Sequence, residues 1–116
     1  MNITVYGIPH CDTVKKARAW LAEQGVACVF HDYKKQGVPL AQLEGWMQQL
    51  GWEALLNRKG TTWRKLDAEQ QAGIHDAASA RELMVAQPSV IRRPVVEHPG
   101  GLLVGFDAAD WERSLT

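Results

Sequence analysis

A strand-like run that breaks at a tight turn and delivers a cysteine onto a helix limits the fold more than any other passage of this chain. Ile3 to Tyr6 alternates and is rich in β-formers, and Gly7 and Pro9 end it. From Asp12 to about Gln24 the period changes. Val14, Ala17, Trp20 and Leu21 share one helical face, Lys15, Lys16, Arg18 and Glu23 lie elsewhere, and Gly25 stands where a C-terminal cap belongs. Ala27 to Tyr33 (ACVFHDY) then reads as a second strand. Two strands bridged by a helix of this length predict a parallel βαβ unit.

The middle of the chain is helical. Pro39 to Leu50 carries Leu40, Leu43, Trp46, Met47 and Leu50 at helical spacing after an N-terminal proline, and Gly51 stops it. Trp52 to Leu56 adds a turn, Thr62 to Gln71 is rich in helix formers, and Asp76 to Gln87 begins with an N-cap aspartate and keeps Ala80, Leu83 and Met84 in phase. Beyond Pro88 the strand pattern returns. Val95 to Glu97, a turn over His98 to Gly101 and Leu102 to Val104 read as a hairpin with a loop longer than the two-residue type. Asp107 caps a last short helix that runs to Leu115. The expected fold is α/β: a mixed four-stranded sheet flanked by helices, with a helical insertion between the second and third strands.

At 116 residues the chain is read as one domain, 1–116, which buries roughly two-thirds of its unfolded surface. Thirteen basic residues balance 13 acidic ones, so bulk charge attracts neither nucleic acid nor an anionic membrane. No apolar run approaches the ~20 residues of a membrane span, and no signal-peptide pattern precedes the first strand, so a cytoplasmic location is expected. Two cysteines are too few for a disulfide framework, and neither has the paired spacing of a zinc site. His31, His75 and His98 show no ligand spacing either, and no metal site is expected.

Redox chemistry or packing is left for the cysteines. Cys11 falls at a helix N-terminus, where unpaired N–H groups and the positive end of the dipole favour the nucleophilic thiolate. The same N–H groups suit an oxyanion held against the sulfur. Cys28, inside VACVF, is expected to be a buried strand residue, although a disulfide to Cys11 stays open. Val14 stands where the second cysteine of a would-be Cys-x-x-Cys belongs, so any second thiol comes from glutathione, a glutaredoxin or a protein substrate. His10 reads first as a loop residue and second as a general acid or base.

Three segments, YGIPHCDTVKKARAWL, LLNRKGTTWRKL and SVIRRPVVEHPGGLLVGF, in this order and spacing, resemble the arsenate reductase (ArsC)/Spx family of thioredoxin-like proteins over essentially the full length, especially its small reductase-like bacterial members. The resemblance implies a thioredoxin-like core over about 1–36 and 88–116, with a helical insert over about 37–87. It implies Cys11 as catalytic nucleophile, Arg58 and Arg93 as substrate-binding residues, and Pro94, His10, Asp12 and Thr13 as active-site support. Guanidinium forks suit oxyanions and favour a thiolate. Pro94 resembles the commonly cis proline that stands against the active-site cysteine; an ordinary trans proline at a strand start is the alternative.

This chain departs from the arsenate enzymes where Gly7-Ile8 replaces their His-Asn and where their third arginine is replaced near Gly105-Phe106. Relative to Spx, Val14 breaks the Cys-x-x-Cys switch. The implied activity is a glutathione-dependent thiol oxidoreductase acting on a small oxyanion or disulfide, with no tightly bound cofactor and with glutathione or glutaredoxin as partner. The alternatives are arsenate reduction proper and an Spx-like regulator that binds RNA polymerase without catalysis, with Trp46, Trp52, Trp63 and Trp111 supporting an interaction surface.

Overall fold

The computed structural model describes residues 3–116; Met1 and Asn2, counted in the expected domain, lie outside them. Those residues form two compact units, one of 3–37 with 93–116 and one of 38–92.

In the first unit, β1 (Thr4–Gly7) leads through a turn into α1 (Asp12–Glu23) and on to β2 (Val29–Asp32), with a helical turn α2 (Tyr33–Gln36) behind it. β1 and β2 pair in parallel, with Val5 opposite Phe30 and Gly7 opposite Asp32. α1 ends in a Schellman motif: Val26 N–H donates to Leu21 O, Gly25 N–H donates to Ala22 O, and Gly25 takes φ 69°. Strand pairing begins only at Val29, so Cys28 is exposed rather than a buried strand residue. The strand stops at Asp32 because its carboxylate accepts the Lys34 N–H at 2.8 Å and caps α2.

The second unit begins with α3 (Leu40–Leu50) and the single turn α4 (Trp52–Leu55). The stretch expected as one helix over 62–71 is two, α5 (Thr61–Arg64) and α6 (Ala68–Ala72). Asp67 makes the break by forming a capping box with Gln70. α7 (Ala77–Ala86) follows its Asp76 N-cap, and a 3₁₀ turn covers Pro88–Val90. Leu56 bridges Ile91, Asn57 N–H donates to Val90 O at 2.7 Å, and Arg92 N–H donates to Leu55 O at 2.7 Å. These bonds tie residues 88–92 to this unit.

The chain then returns to the first unit as β3 (Val95–His98), β4 (Gly101–Val104) and α8 (Ala108–Leu115). The strand order is β2-β1-β3-β4, with β3 antiparallel to both neighbours. His98 pairs with Gly101, so the hairpin loop is two residues, Pro99 and Gly100, and not longer. Gly101, at φ 144°, carries the backbone out of the turn in a conformation that L side chains avoid.

One hydrophobic cluster sits on the sheet face of Val5 and Val96. Ile3, Val5 and Val96 pack with Ala17 and Leu21 of α1 and with Trp111 and Leu115 of α8, while Trp20, Val26, Phe30, Leu103 and Phe106 close the edges. Trp111 anchors the cluster: Phe106 meets it edge-on at 4.9 Å, Trp20 at 6.0 Å, and its indole N–H donates to Gly105 O. The mixed four-stranded sheet flanked by helices is the architecture expected from the sequence. The tryptophans expected as a surface in the regulator alternative are divided, with Trp46 and Trp111 buried and Trp52 and Trp63 half-buried.

Candidate functional site

Cys11 is the N-cap of α1, in extended conformation at φ −79° and ψ 126°. Local geometry puts it there. Its N–H donates to Ile8 O at 3.2 Å, closing the Ile8-Pro9-His10 turn, and its carbonyl accepts the Lys15 N–H at 2.9 Å as the first bond of the helix. Gly7 allows the turn to lie close to the helix, since a Cβ at Gly7 would stand 2.9 Å from Val14 Cγ2. Val14 is fully buried, which anchors the first turn of α1 under the cysteine.

The Cys11 side chain makes no conventional cap hydrogen bond, and the thiol is partly exposed and free. Partial burial acts to raise its pKa, but four influences outweigh it: the Val14 N–H, a hydrogen bond from Arg93, the Arg93 charge and the Thr13 N–H. The net effect holds the thiol below its ordinary value. The anion is therefore favoured by the helix end and a guanidinium acting together. Cys28 behaves oppositely: although its surface is exposed, partial desolvation pushes its thiol up and the Arg18 charge only partly offsets this.

The structure brings Arg93 and Cys11 together and puts Pro94 beside them in sequence, buried, with a cis Arg93–Pro94 bond. Pro94 O accepts the Gly105 N–H at 2.9 Å, which fixes the entry to β3 against the exit from β4. Thr13 contributes through its backbone, whereas its side chain is exposed. Asp12 is exposed in the first turn of α1, a favourable place for an acidic residue, and His10 is exposed in the turn. Arg58, in the second unit, is exposed with its guanidinium over the rings of Trp52 and Trp63. Arg92 is exposed.

Sequence reasoning missed a polar cluster on the sheet face opposite that of Val5 and Val96. The Tyr6 hydroxyl donates to the Glu97 carboxylate, the Tyr6 and His31 rings lie 5.0 Å apart, and Tyr33 meets His31 edge-on at 6.0 Å. Burial drives the Tyr33 phenol upward, and the nearby Arg93 charge opposes it. Among the described residues, no three His, Cys, Asp or Glu side chains converge as a metal site, and no helix is long and apolar enough to cross a membrane.

A mixed four-stranded sheet flanked by helices, with a cysteine as the N-cap of α1, defines a protein of thioredoxin-like fold. The pattern of the ArsC family matches residues 6–114, and the chain belongs to that family. An uncharacterized protein of Haemophilus influenzae is 41% identical over 110 residues, covering 95% of this chain and 96% of its own. The global transcriptional regulator Spx of Enterococcus faecalis is 26% identical over 97% of this chain and 86% of its own. Among solved structures, an arsenate reductase related protein from Brucella melitensis is 52% identical with a TM-score of 0.78, covering 97% of this chain and 93% of its own. A YFFB protein is 51% identical with a TM-score of 0.92, covering 98% of this chain and 99% of its own. The family match and the arsenate reductase related structure support a thiol reductase-like family.

Proposed function

We propose that the protein is a glutathione-dependent thiol reductase working through one cysteine. The observation that carries this reading is the Cys11 sulfur at the head of α1 with Arg93 bonded to it, an arrangement that favours the thiolate. The Cys11 thiolate attacks one sulfur of a substrate disulfide, forming a mixed disulfide and expelling the other half as a thiolate. A glutathione thiolate then attacks the mixed disulfide and restores the Cys11 thiolate, leaving its partner sulfur joined to glutathione. A second glutathione releases that group as a thiol and leaves oxidised glutathione, so the two electrons come from glutathione. Val14 leaves no local resolving thiol, which agrees with an external one. Arg93 and Arg58 bind the anionic part of the substrate, Arg93 supported by its bond to Cys11 and Arg58 by the family resemblance. Pro94, His10, Asp12 and Thr13 shape the approach to the sulfur.

The test is turnover of a small glutathione mixed disulfide, coupled to reduction of oxidised glutathione, in wild type, Cys11→Ser and Cys28→Ser. Turnover that vanishes with Cys11→Ser and persists in Cys28→Ser supports the reading, and turnover indifferent to Cys11 refutes it. Arsenate in place of the disulfide tests arsenate reduction proper, which the similarity to the Brucella protein favours. The similarity to Spx over 97% of the chain supports a further reading, an RNA polymerase-binding regulator. Co-purification with RNA polymerase that is unaffected by Cys11→Ser would favour it.

A further inference from the structure

An arginine on an exposed loop ordinarily samples many rotamers in water, whereas the Arg58 guanidinium lies against two indole rings. The backbone on both sides of it is pinned, by Asn57 N–H donating to Val90 O at 2.7 Å and by Lys59 N–H donating to the Asn57 side-chain oxygen at 3.1 Å. Its guanidinium carbon stands 5.6 Å from the ring centroid of Trp52 and 5.8 Å from that of Trp63, both inside the ~6 Å range of a cation–π contact. Trp63 is tied down in turn, because the Gln71 side-chain amide donates to its carbonyl at 3.0 Å. Among the described residues no carboxylate pairs with Arg58. This combination matters. A carboxylate would neutralise the charge and occupy the N–H donors, whereas an aromatic face attracts the cation and leaves both intact.

We propose that Trp52 and Trp63 are positioning residues that set the Arg58 guanidinium as a preformed receptor for one small anion, a carboxylate or a tetrahedral oxyanion. The proposal rests on the reading that Arg58 binds the anionic part of the substrate. Holding the side chain before the anion arrives removes part of the ordering cost of binding, so the tryptophans act on affinity through Arg58 and without touching the ligand.

Sodium sulfate, titrated into the full chain against sodium chloride at matched ionic strength, tests this without any redox step. The readouts are the Arg58 side-chain Nε–H resonance and, in every variant including Arg58→Ala, the backbone amide resonances of residues 57–60. In wild type the Nε–H resonance is displaced by the ring currents of the two indoles and moves saturably with sulfate. Trp63→Leu and Trp52→Leu should each weaken sulfate binding about two- to five-fold and return the resonance towards that of a free arginine, while Trp63→Phe keeps most of the affinity. Loss of saturable sulfate binding at this loop in Arg58→Ala, with unchanged affinity in both leucine variants, overturns the positioning role and leaves the anion reading standing. Unchanged sulfate binding in Arg58→Ala overturns both. If a leucine variant does not fold, the wild-type resonance decides: a position typical of a freely rotating arginine overturns the proposal.

Discussion

Gly7→Ala couples the fold to the thiol and can be worked through in numbers. The new methyl would stand 2.9 Å from Val14 Cγ2 and 3.5 Å from Val14 Cγ1, while the next neighbour, Phe30 Cε1 at 3.8 Å, is in ordinary contact. Val14 is fully buried and has nowhere to retreat, so the clash resolves by moving the first turn of α1. Overpacking of this kind costs about 1–3 kcal/mol, or roughly 3–6 °C in Tm per kcal/mol for a chain of this size. Val14→Ala alone removes two buried methyl groups, a loss of about 1.6 kcal/mol before any cavity term. The double variant removes the clashing atoms and lets the methyl introduced by Gly7→Ala fill part of the space they leave. It should therefore be about as stable as Val14→Ala, less destabilised than the sum of the singles by about 1–3 kcal/mol. Urea denaturation of the four chains measures the cycle, and the alkylation rate of Cys11 reads the displacement of the Val14 N–H from the sulfur. Gly7→Ala as stable as wild type, or losses that add to within about 0.5 kcal/mol, would refute the close-approach argument.

Three more outcomes are expected. Arg93→Met should raise the pH at which Cys11 becomes reactive to iodoacetamide, because the bond and charge that favour the thiolate are gone, whereas Arg93→Lys should raise it less; identical pH profiles in all three chains would remove Arg93 from the site. The Cys11 thiol sits below its ordinary value of 9.0 when folded, so its stabilising contribution is full above that pH and disappears as the pH falls through the lower folded value. The urea-midpoint advantage of wild type over Cys11→Ser should thus grow towards pH 9, modestly because the thiol is partly exposed, and a gap that widens towards acid would have the wrong sign. Trp111→Ala should cost about 3–5 kcal/mol and Trp111→Phe less, measured by urea denaturation, since the indole holds Phe106, Trp20 and the Gly105 carbonyl together; a loss under about 1 kcal/mol would mean that the cluster relaxes freely.

The parts of the fold that were legible in the sequence are those written in local periodicity. The Gly7–Pro9 break, the helical face of Val14, Ala17 and Leu21 and the Gly25 stop all act within one element, so the βαβ opening could be read directly. Errors arose where a single side chain decides a boundary. Asp67 splits a helix through its capping box and Asp32 ends a strand, while the late start of β2 at Val29 leaves Cys28 out of the sheet. From the residues alone the site was legible only at its cysteine, and Arg93 entered through the family resemblance. That Arg93 reaches the sulfur depends on β3 pairing beside β1, and the Tyr6–Glu97 bond spans 91 positions of sequence. The approach of Trp52 and Trp63 to Arg58 likewise needs the turns between them, which periodicity does not contain.

The account stands or falls on whether Cys11 is an activated, solitary thiol. Intact mass after incubation with oxidised glutathione across pH, in wild type, Cys11→Ser and Cys28→Ser, measures this directly. The account predicts one glutathione adduct that requires Cys11, forms well below the ordinary thiol value of 9.0 and survives Cys28→Ser. An adduct that depends on Cys28, or none at all, would contradict it.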